Sequence, residues 1–389
     1  MRPMKWMRTP GVRFLFLCAL AACGDGAGPD EVARVDASAG DAELWVGDTT
    51  RVQAVARGAN GETLERVVTW TSSNPAVATV DGAGKVTATG PGGAVLTASA
   101  GGRTGTVEIA VSTYDLLYEV RWPSNVAEPM VLRLDGGAPQ RVLPAVPWAA
   151  DPVPSPDGSR IAFVVRVPEY ESSDIWIANR DGSGLARLTE STEIDDQPTW
   201  SPDGQKIAFR SYASERGSDI WIMNPDGSGK RQLTPDPLPG ITYEMRPAWS
   251  PDGTRIAYAR ALFDQADLCI IPAAGGEAVC LTSTTENDTE PAWSPDGTRI
   301  VFRRNFAGDS DLMFISPEGG QPTRLQIPGY QFLPAWSPDG QLIAFSQSSG
   351  PGDAMQLRTI RPDGSQNTLR TTDPAWGGGA NASFLRRGN

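Results

Sequence analysis

An all-β chain, with a small β-sandwich ahead of a larger six-bladed β-propeller, is the fold class that the sequence predicts. Three observations carry it. The tetrapeptide Ser-Pro-Asp-Gly returns five times after residue 113, at intervals of 43 to 49 residues. A short run of the Ile-Ala-Phe type recurs six times over the same stretch. Ahead of both, residues 32–112 alternate apolar and polar residues in short runs between Gly, Asn-Pro and Asp-Gly turn signals. With 389 residues, 40% hydrophobic and 21% charged, the chain can bury a full core. It has no histidine, so no Ser-His-Asp or Cys-His relay and no His-ligated metal centre can be assembled from it.

In chain order, Met1 to Arg13 is positively charged and Phe14 to Ala22 is an apolar run too short to cross a bilayer core of about 30 Å. This order predicts a signal peptide over 1–22. Leu20-Ala21-Ala22-Cys23 resembles the lipobox of bacterial lipoproteins, which implies that Cys23 carries the lipid and becomes the first residue of the mature chain. An ordinary signal peptide cut near Ala22 is the alternative. Gly24, where an Asp would mark inner-membrane retention, points to the outer membrane, and Gly-Asp-Gly-Ala-Gly-Pro-Asp makes 23–31 a lipidated tether. Loss of Arg2, Lys5, Arg8 and Arg13 with the leader would take the 34 basic residues to 30, against 46 acidic ones. A surface this acidic argues against nucleic acid as a partner and favours cations or basic partners.

Residues 32–112 read as antiparallel strands of a small sandwich. The segments Val46 to Thr49, Val68 to Asp81 (V-T-W-T-S-S-N-P-A-V-A-T-V-D) and Gly84 to Ala88 resemble the group 2 bacterial Ig-like domain (BIG2). That resemblance implies an Ig-like fold with Trp70, Val77, Val80 and Val86 facing the core. Its implied role is that of a spacer.

From 113 to 377 the chain is a repeat. Ser-Pro-Asp-Gly begins at Ser155, Ser201, Ser250, Ser294 and Ser337, each preceded by a proline, and four copies carry Trp just before the Ser (Trp200, Trp249, Trp293, Trp336). Pro374-Ala375-Trp376 is a sixth, degenerate copy. An apolar strand, read as the inner one, opens the stretch at Leu116 to Tyr118 and follows the five turns at Ile161 to Phe163, Ile207 to Phe209, Ile256 to Tyr258, Ile300 to Phe302 and Ile343 to Phe345. Asp-Ile-Trp-Ile, an Asn-Pro-Asp-Gly-Ser-Gly turn and Arg-Gln-Leu-Thr then complete a four-stranded meander, the size of one blade. The strand at Pro374 to Trp376 is expected to pair with the first blade near Leu116 to Arg121 and close the ring, leaving 378–389 as a C-terminal tail. The motifs P-x-W-S-P-D-G-x-x-I-A-F, D-I-W-I and N-P-D-G-S-G resemble the WD-like (WD40-like) repeats of the TolB propeller family, from Tyr114 to Trp376. Within one repeat, Cys269 and Cys280 fall opposite one another about an Ala-Ala-Gly-Gly turn, which predicts a cross-strand disulfide. Two buried thiols are the alternative.

The repeated aspartates Asp157, Asp203, Asp252, Asp296 and Asp339 sit at one recurring turn and read as turn chemistry. A different set of acids heads the Pro-x-Trp strands: Asp151, Asp195, Asp196, Glu244, Asp288, Glu290 and Asp373. If that strand is innermost, they rim one mouth of the central channel, where their summed charge would attract a basic peptide or a cation, Ca2+ among them. No catalytic residues and no other cofactor are expected. The sequence therefore predicts a lipid-anchored cell-envelope scaffold, on the outer membrane and facing the periplasm or the cell surface. It would bind an envelope protein or peptide. The alternative is a carboxylate-dependent glycan-active enzyme or a glycan-binding protein using the same acidic mouth.

Overall fold

The computed structural model describes residues 31–386 apart from 41, 113, 122–126, 135–137, 145, 147, 168–171, 235–241, 263–264, 307–308, 351–352, 354 and 372–380. The leader, Cys23, the tether, Asp373 and Pro374 to Trp376 lie outside the described residues. Within them every regular element is a strand, and no helix is long and apolar enough to cross a membrane.

Residues 32–112 form two facing sheets. One carries Arg34–Ala39, Thr49–Arg57, Lys85–Ala88 and Ala78–Val80, with Thr63–Leu64 at its side; the other carries Glu43–Trp45, Arg103–Ser112, Gly92–Ala100 and Thr69–Ser72. Val52, Val86, Leu96 and Ile109 fill the space between them, as inward positions of alternating strands should. Val77 is buried with them, and Trp70 and Val80 pack on the same cluster.

Six four-stranded blades follow. Blade 3 shows the pattern: Ile194–Trp200, Ile207–Ala213, Gly217–Met223 and Arg231–Gln232, each antiparallel to the last. The Pro-x-Trp strand is the innermost one, since Val153, Thr199, Ala248, Ala292, Ala335 and Ser383 from the six of them line the central cavity. The apolar strand expected to be inner is second. Its residues are apolar on both sides because both faces of a blade are covered by neighbours: Ile161, Ala162, Phe163 and Val164 are all fully buried. At its proline the innermost strand has a paired strand on one side only, which is where proline is tolerated; the heads of Ile194–Trp200 and Thr242–Trp249 also pair in parallel with the preceding blade.

Each sequence motif has a mechanical role. In the Ser-Pro-Asp-Gly turns the serine hydroxyl donates to the aspartate at 2.5–2.6 Å and accepts the backbone N–H five residues on in every copy. The tryptophans sit between blades: Trp200 packs with Ile175 and Ile177 of blade 2 and Phe209 of blade 3. Arg160, Arg255 and Arg299 of the preceding blades cover Trp200, Trp293 and Trp336 at 4.9–5.4 Å. Outer strands as short as Ala186–Arg187 are tied down by Thr189, Thr234, Thr282 and Thr371, whose hydroxyls accept the N–H of Ile175, Ile220, Leu268 and Leu357 at 2.9–3.1 Å. In blade 4 Cys269 pairs with Cys280 in register, and the two sulfurs are bonded at 1.95 Å.

Closure differs from expectation. The inner strand of blade 1 is Ala382–Arg386, paired with Tyr114–Arg121, so residues 382–386 of the expected tail belong to the propeller. Phe384 faces Leu116 in the register in which Trp200 faces Ile207, which makes Asn381-Ala382-Ser383-Phe384 the degenerate sixth copy. The Pro-Ala-Trp match drew the assignment to the wrong segment because the true copy keeps neither the proline nor the indole.

One residue separates Arg103–Ser112 of the sandwich from Tyr114–Arg121 of blade 1. The Tyr114 hydroxyl donates to the Val46 carbonyl at 2.9 Å, Arg386 approaches Asp48 at 3.5 Å, and Gly47, at φ 95°, lies so close to Asp339 that a Cβ there would sit 2.3 Å from the aspartate's own. The sandwich therefore docks on the Ser-Pro-Asp-Gly face of the propeller. By strand polarity, the heads of the Pro-x-Trp strands open on the opposite face.

Candidate functional site

The channel is built by a bulge repeated in five of the six inner strands. Register shifts between Ala150 and Val153, Asp196 and Thr199, Met245 and Ala248, Thr289 and Ala292, and Phe332 and Ala335 place one extra residue before each proline. Those residues, Asp151, Gln197, Arg246, Glu290 and Leu333, take left-handed φ values of 46° to 56°. Four of them, Gln197, Arg246, Glu290 and Leu333, line a cavity of about 160 Å³ with Asn381, to which Asp151 is hydrogen-bonded.

The ring is linked from blade to blade. Gln197 Oε1 accepts the Arg246 N–H at 2.7 Å, Glu290 Oε2 accepts the Leu333 N–H at 2.6 Å, and Glu119 Oε2 accepts the Asp151 N–H at 2.7 Å. Asn381 donates to Asp151 Oδ1 at 3.2 Å. Arg246 reaches the same Asp151 oxygen at 3.7 Å. Burial would lower the Arg246 pKa, but Asp151, Glu290, Asp196 and Glu119 outweigh it and hold the guanidinium above its ordinary value.

The mouth acids separate into two groups. Asp151, Asp196 and Glu290 are brought together around Arg246. Asp195, Glu244 and Asp288 occupy equivalent positions two residues before the bulge and are buried within their own blades. Most have a basic partner: Asp196 is bidentate to Arg210 at 2.6–2.7 Å, Asp288 to Arg304 at 2.7 Å, Glu244 meets Arg260 at 3.0 Å and Glu290 meets Arg303 at 3.0 Å. Asp195 differs, accepting from Ser191 at 3.2 Å while its other oxygen is buried with no partner; burial pushes its carboxyl up. Among the described residues no group of three or more acids or cysteines could hold a metal ion. Asp373 lies outside them. The expected open ring of carboxylates is thus a set of ion pairs, because carboxylates this deep need a counter-charge. Arg210, Arg246, Arg260, Arg303 and Arg304 were missed in the sequence. The available signal was that the position before each repeat proline varies in charge while the rest of the repeat does not.

Around this mouth stand half-buried aromatic residues. Tyr212 and Tyr243 stack at 6.2 Å between centroids, Arg210 lies 5.9 Å from the Tyr212 ring, and Arg303 covers Phe332 at 4.6 Å.

Glu244 gives the site a pH dependence. Burial pushes its carboxyl up from 4.5 to about 7, against Arg260. A raised carboxyl binds its proton more tightly in the folded protein, so its contribution to stability is present below pH 4.5 and lost as pH rises through 7. Glu244→Gln should therefore flatten the fall in melting temperature between pH 5 and pH 8, with a difference on the order of 3 kcal/mol across that window. Parallel melts of the two proteins check this.

Comparison with known proteins agrees with the fold. Residues 237–375 match the family model of the TolB beta propeller domain, and residues 49–102 match that of the intimin immunoglobulin-like domain. The chain is 34% identical over 107 residues to the Tol-Pal system protein TolB of Anaeromyxobacter dehalogenans, a match covering 25% of this chain and 24% of that protein. A shorter match, 33% over 61 residues, links it to dipeptidyl-peptidase 5 of Porphyromonas gingivalis, covering 15% of this chain and 9% of the peptidase. The chain thus matches about a quarter of the length of its TolB relative. A crystal structure of TolB from Acinetobacter baumannii superimposes with a TM-score of 0.59 at 17% identity, covering 84% of each chain, a likeness of fold.

Proposed function

We propose that this protein is a non-catalytic cell-envelope binding platform, in which a TolB-like propeller presents its channel mouth to a protein or peptide partner. The observation that supports this reading best is the arrangement of faces. The Ig-like domain occupies the Ser-Pro-Asp-Gly face through Val46, Gly47 and Asp48. The opposite face keeps the channel and the Tyr212–Tyr243 stack. Aromatic residues and arginines are the side chains that dominate protein interfaces, and here they sit together around a concave centre. The TolB relative is a component of a Tol-Pal system, which is in keeping with an envelope partner.

The leader and Cys23 complete the reading as a lipid anchor that holds the platform at a membrane, with the Ig-like domain as a spacer of fixed angle. The glycan-active alternative would need an acid and a base facing substrate, whereas Asp195, Glu244 and Asp288 are buried inside blades. Capture from envelope extracts on immobilised wild-type protein and on a Tyr212→Ala, Tyr243→Ala variant tests the proposal. The variant should retain at least about tenfold less of a partner that the wild type holds, since loss of two central aromatics costs roughly 2 kcal/mol or more. Equal retention by both proteins would refute the assignment of the face.

A further inference from the structure

Arg246 is held differently from the other arginines of the channel. Arg210, Arg260, Arg303 and Arg304 meet carboxylates at 2.6–3.0 Å. Arg246 meets Asp151 at 3.7 Å, beyond hydrogen-bond distance, and its short contact is through its backbone N–H to Gln197. Its side chain is 28% exposed and lines the cavity. Four carboxylates from four blades act on it, Asp151 most strongly, then Glu290, Asp196 and Glu119. Their positions do not depend on Arg246: Glu290 is fixed by Arg303 and the Leu333 N–H, Asp196 by Arg210, Asp151 by Asn381, and Glu119 by the Asp151 N–H.

We infer that the channel is a binding site for a guanidinium group, filled in the free protein by the chain's own Arg246, and that a partner enters by exchanging a basic side chain for it. The inference rests on the reading of the mouth as the binding face and names the chemistry of what enters. An anion would meet four carboxylates already in place, and a neutral group would gain nothing from them. A metal ion is poorly served, because no three of these oxygens converge. Exchange is favoured by the long Arg246–Asp151 contact, since no direct hydrogen bond is lost when the arginine swings out. Its backbone stays anchored by the bulge and by Pro247, so the side chain acts as a tethered stopper.

The test removes the stopper and supplies a substitute. Full-length Arg246→Ala is titrated with methylguanidinium chloride at millimolar concentration by calorimetry and by thermal melts, with tetramethylammonium as a cation that cannot donate hydrogen bonds. The variant should bind methylguanidinium and melt higher in its presence, while the wild type, already occupied, should show neither effect. Arg246→Ala combined with Asp151→Asn should bind about tenfold more weakly or not at all. A folded Arg246→Ala that takes up no methylguanidinium, or that binds it equally with Asp151→Asn, overturns the inference. If Arg246→Ala does not fold alone, recovery in methylguanidinium supports it, and failure to recover while Arg246→Lys folds normally overturns it. Partner capture by the wild-type mouth is scored separately, so a failed guanidinium site leaves the binding-platform reading standing on its own evidence.

Discussion

Truncation after residue 380 should abolish the cooperative unfolding transition of the propeller. The nine residues removed include the inner strand of blade 1, with Ala382 and Leu385 almost fully buried and Phe384 8% exposed. Without that strand, the edge of Tyr114–Arg121 would open into the channel, and the cluster of Tyr114, Leu116, Tyr118 and Phe384 would lose one wall. Deleting a single buried Leu or Phe side chain costs about 2–5 kcal/mol. Losing two, together with a ladder of backbone hydrogen bonds, is comparable to the whole stability of a typical domain, roughly 5–15 kcal/mol. Phe384→Ala alone should cost about 3–5 kcal/mol, and at roughly 2–4 °C per kcal/mol should lower the melting temperature by about 10 °C. Calorimetry of the three proteins checks this. A truncated chain that melts like the wild type would mean that other residues close the ring.

The second large effect belongs to Asp288 and Arg304. Asp288 is fully buried and receives both guanidinium hydrogen bonds at 2.7 Å, while Arg304 also lies 5.7 Å from the Phe302 ring centre. Asp288→Asn leaves an arginine without its counter-charge in a dry site, which costs about 3–5 kcal/mol. Replacing both partners with apolar groups of similar volume removes the penalty, so Asp288→Leu with Arg304→Met should stay within about 1–2 kcal/mol of wild type. Urea melts of Asp288→Leu, Arg304→Met and the double variant give the coupling, and Asp288→Asn is melted beside them. If Asp288→Asn were silent, the pair would have to be screened by solvent, contrary to its burial.

How much of this was legible in the sequence follows from what each residue answers to. Local turn chemistry was fully readable: Ser-Pro-Asp-Gly must make its own hydrogen bonds wherever it sits, and Cys269 and Cys280 lie symmetrically about a tight turn. Blade number was readable because stacking imposes the same apolar strand on every copy. The order of strands within a blade was not, since Ile-Ala-Phe is apolar for a reason, burial on both faces, that an inner strand could share. Asn381 to Phe384 escaped because a closing strand is selected for shape against blade 1, and Phe384 fills a tryptophan's place without the motif around it. Of the acids expected to rim the mouth, Asp195, Glu244 and Asp288 turn into their own blades, and Asp373 lies outside the described residues. Except for Asp195, the described acids meet arginines on other strands, up to 95 residues away for Asp151 and Arg246, and no local pattern joins them.

Site-specific photocross-linking in cells reads directly which face of the propeller a partner docks on. A photoreactive residue is placed at Tyr243, on the channel mouth, or at Thr298, on an exposed Ser-Pro-Asp-Gly turn of the opposite face. A partner on the channel mouth gives protein adducts from position 243 and none from 298. Adducts from 298 with none from 243 would put the partner on the same face as the Ig-like domain and contradict docking at the mouth.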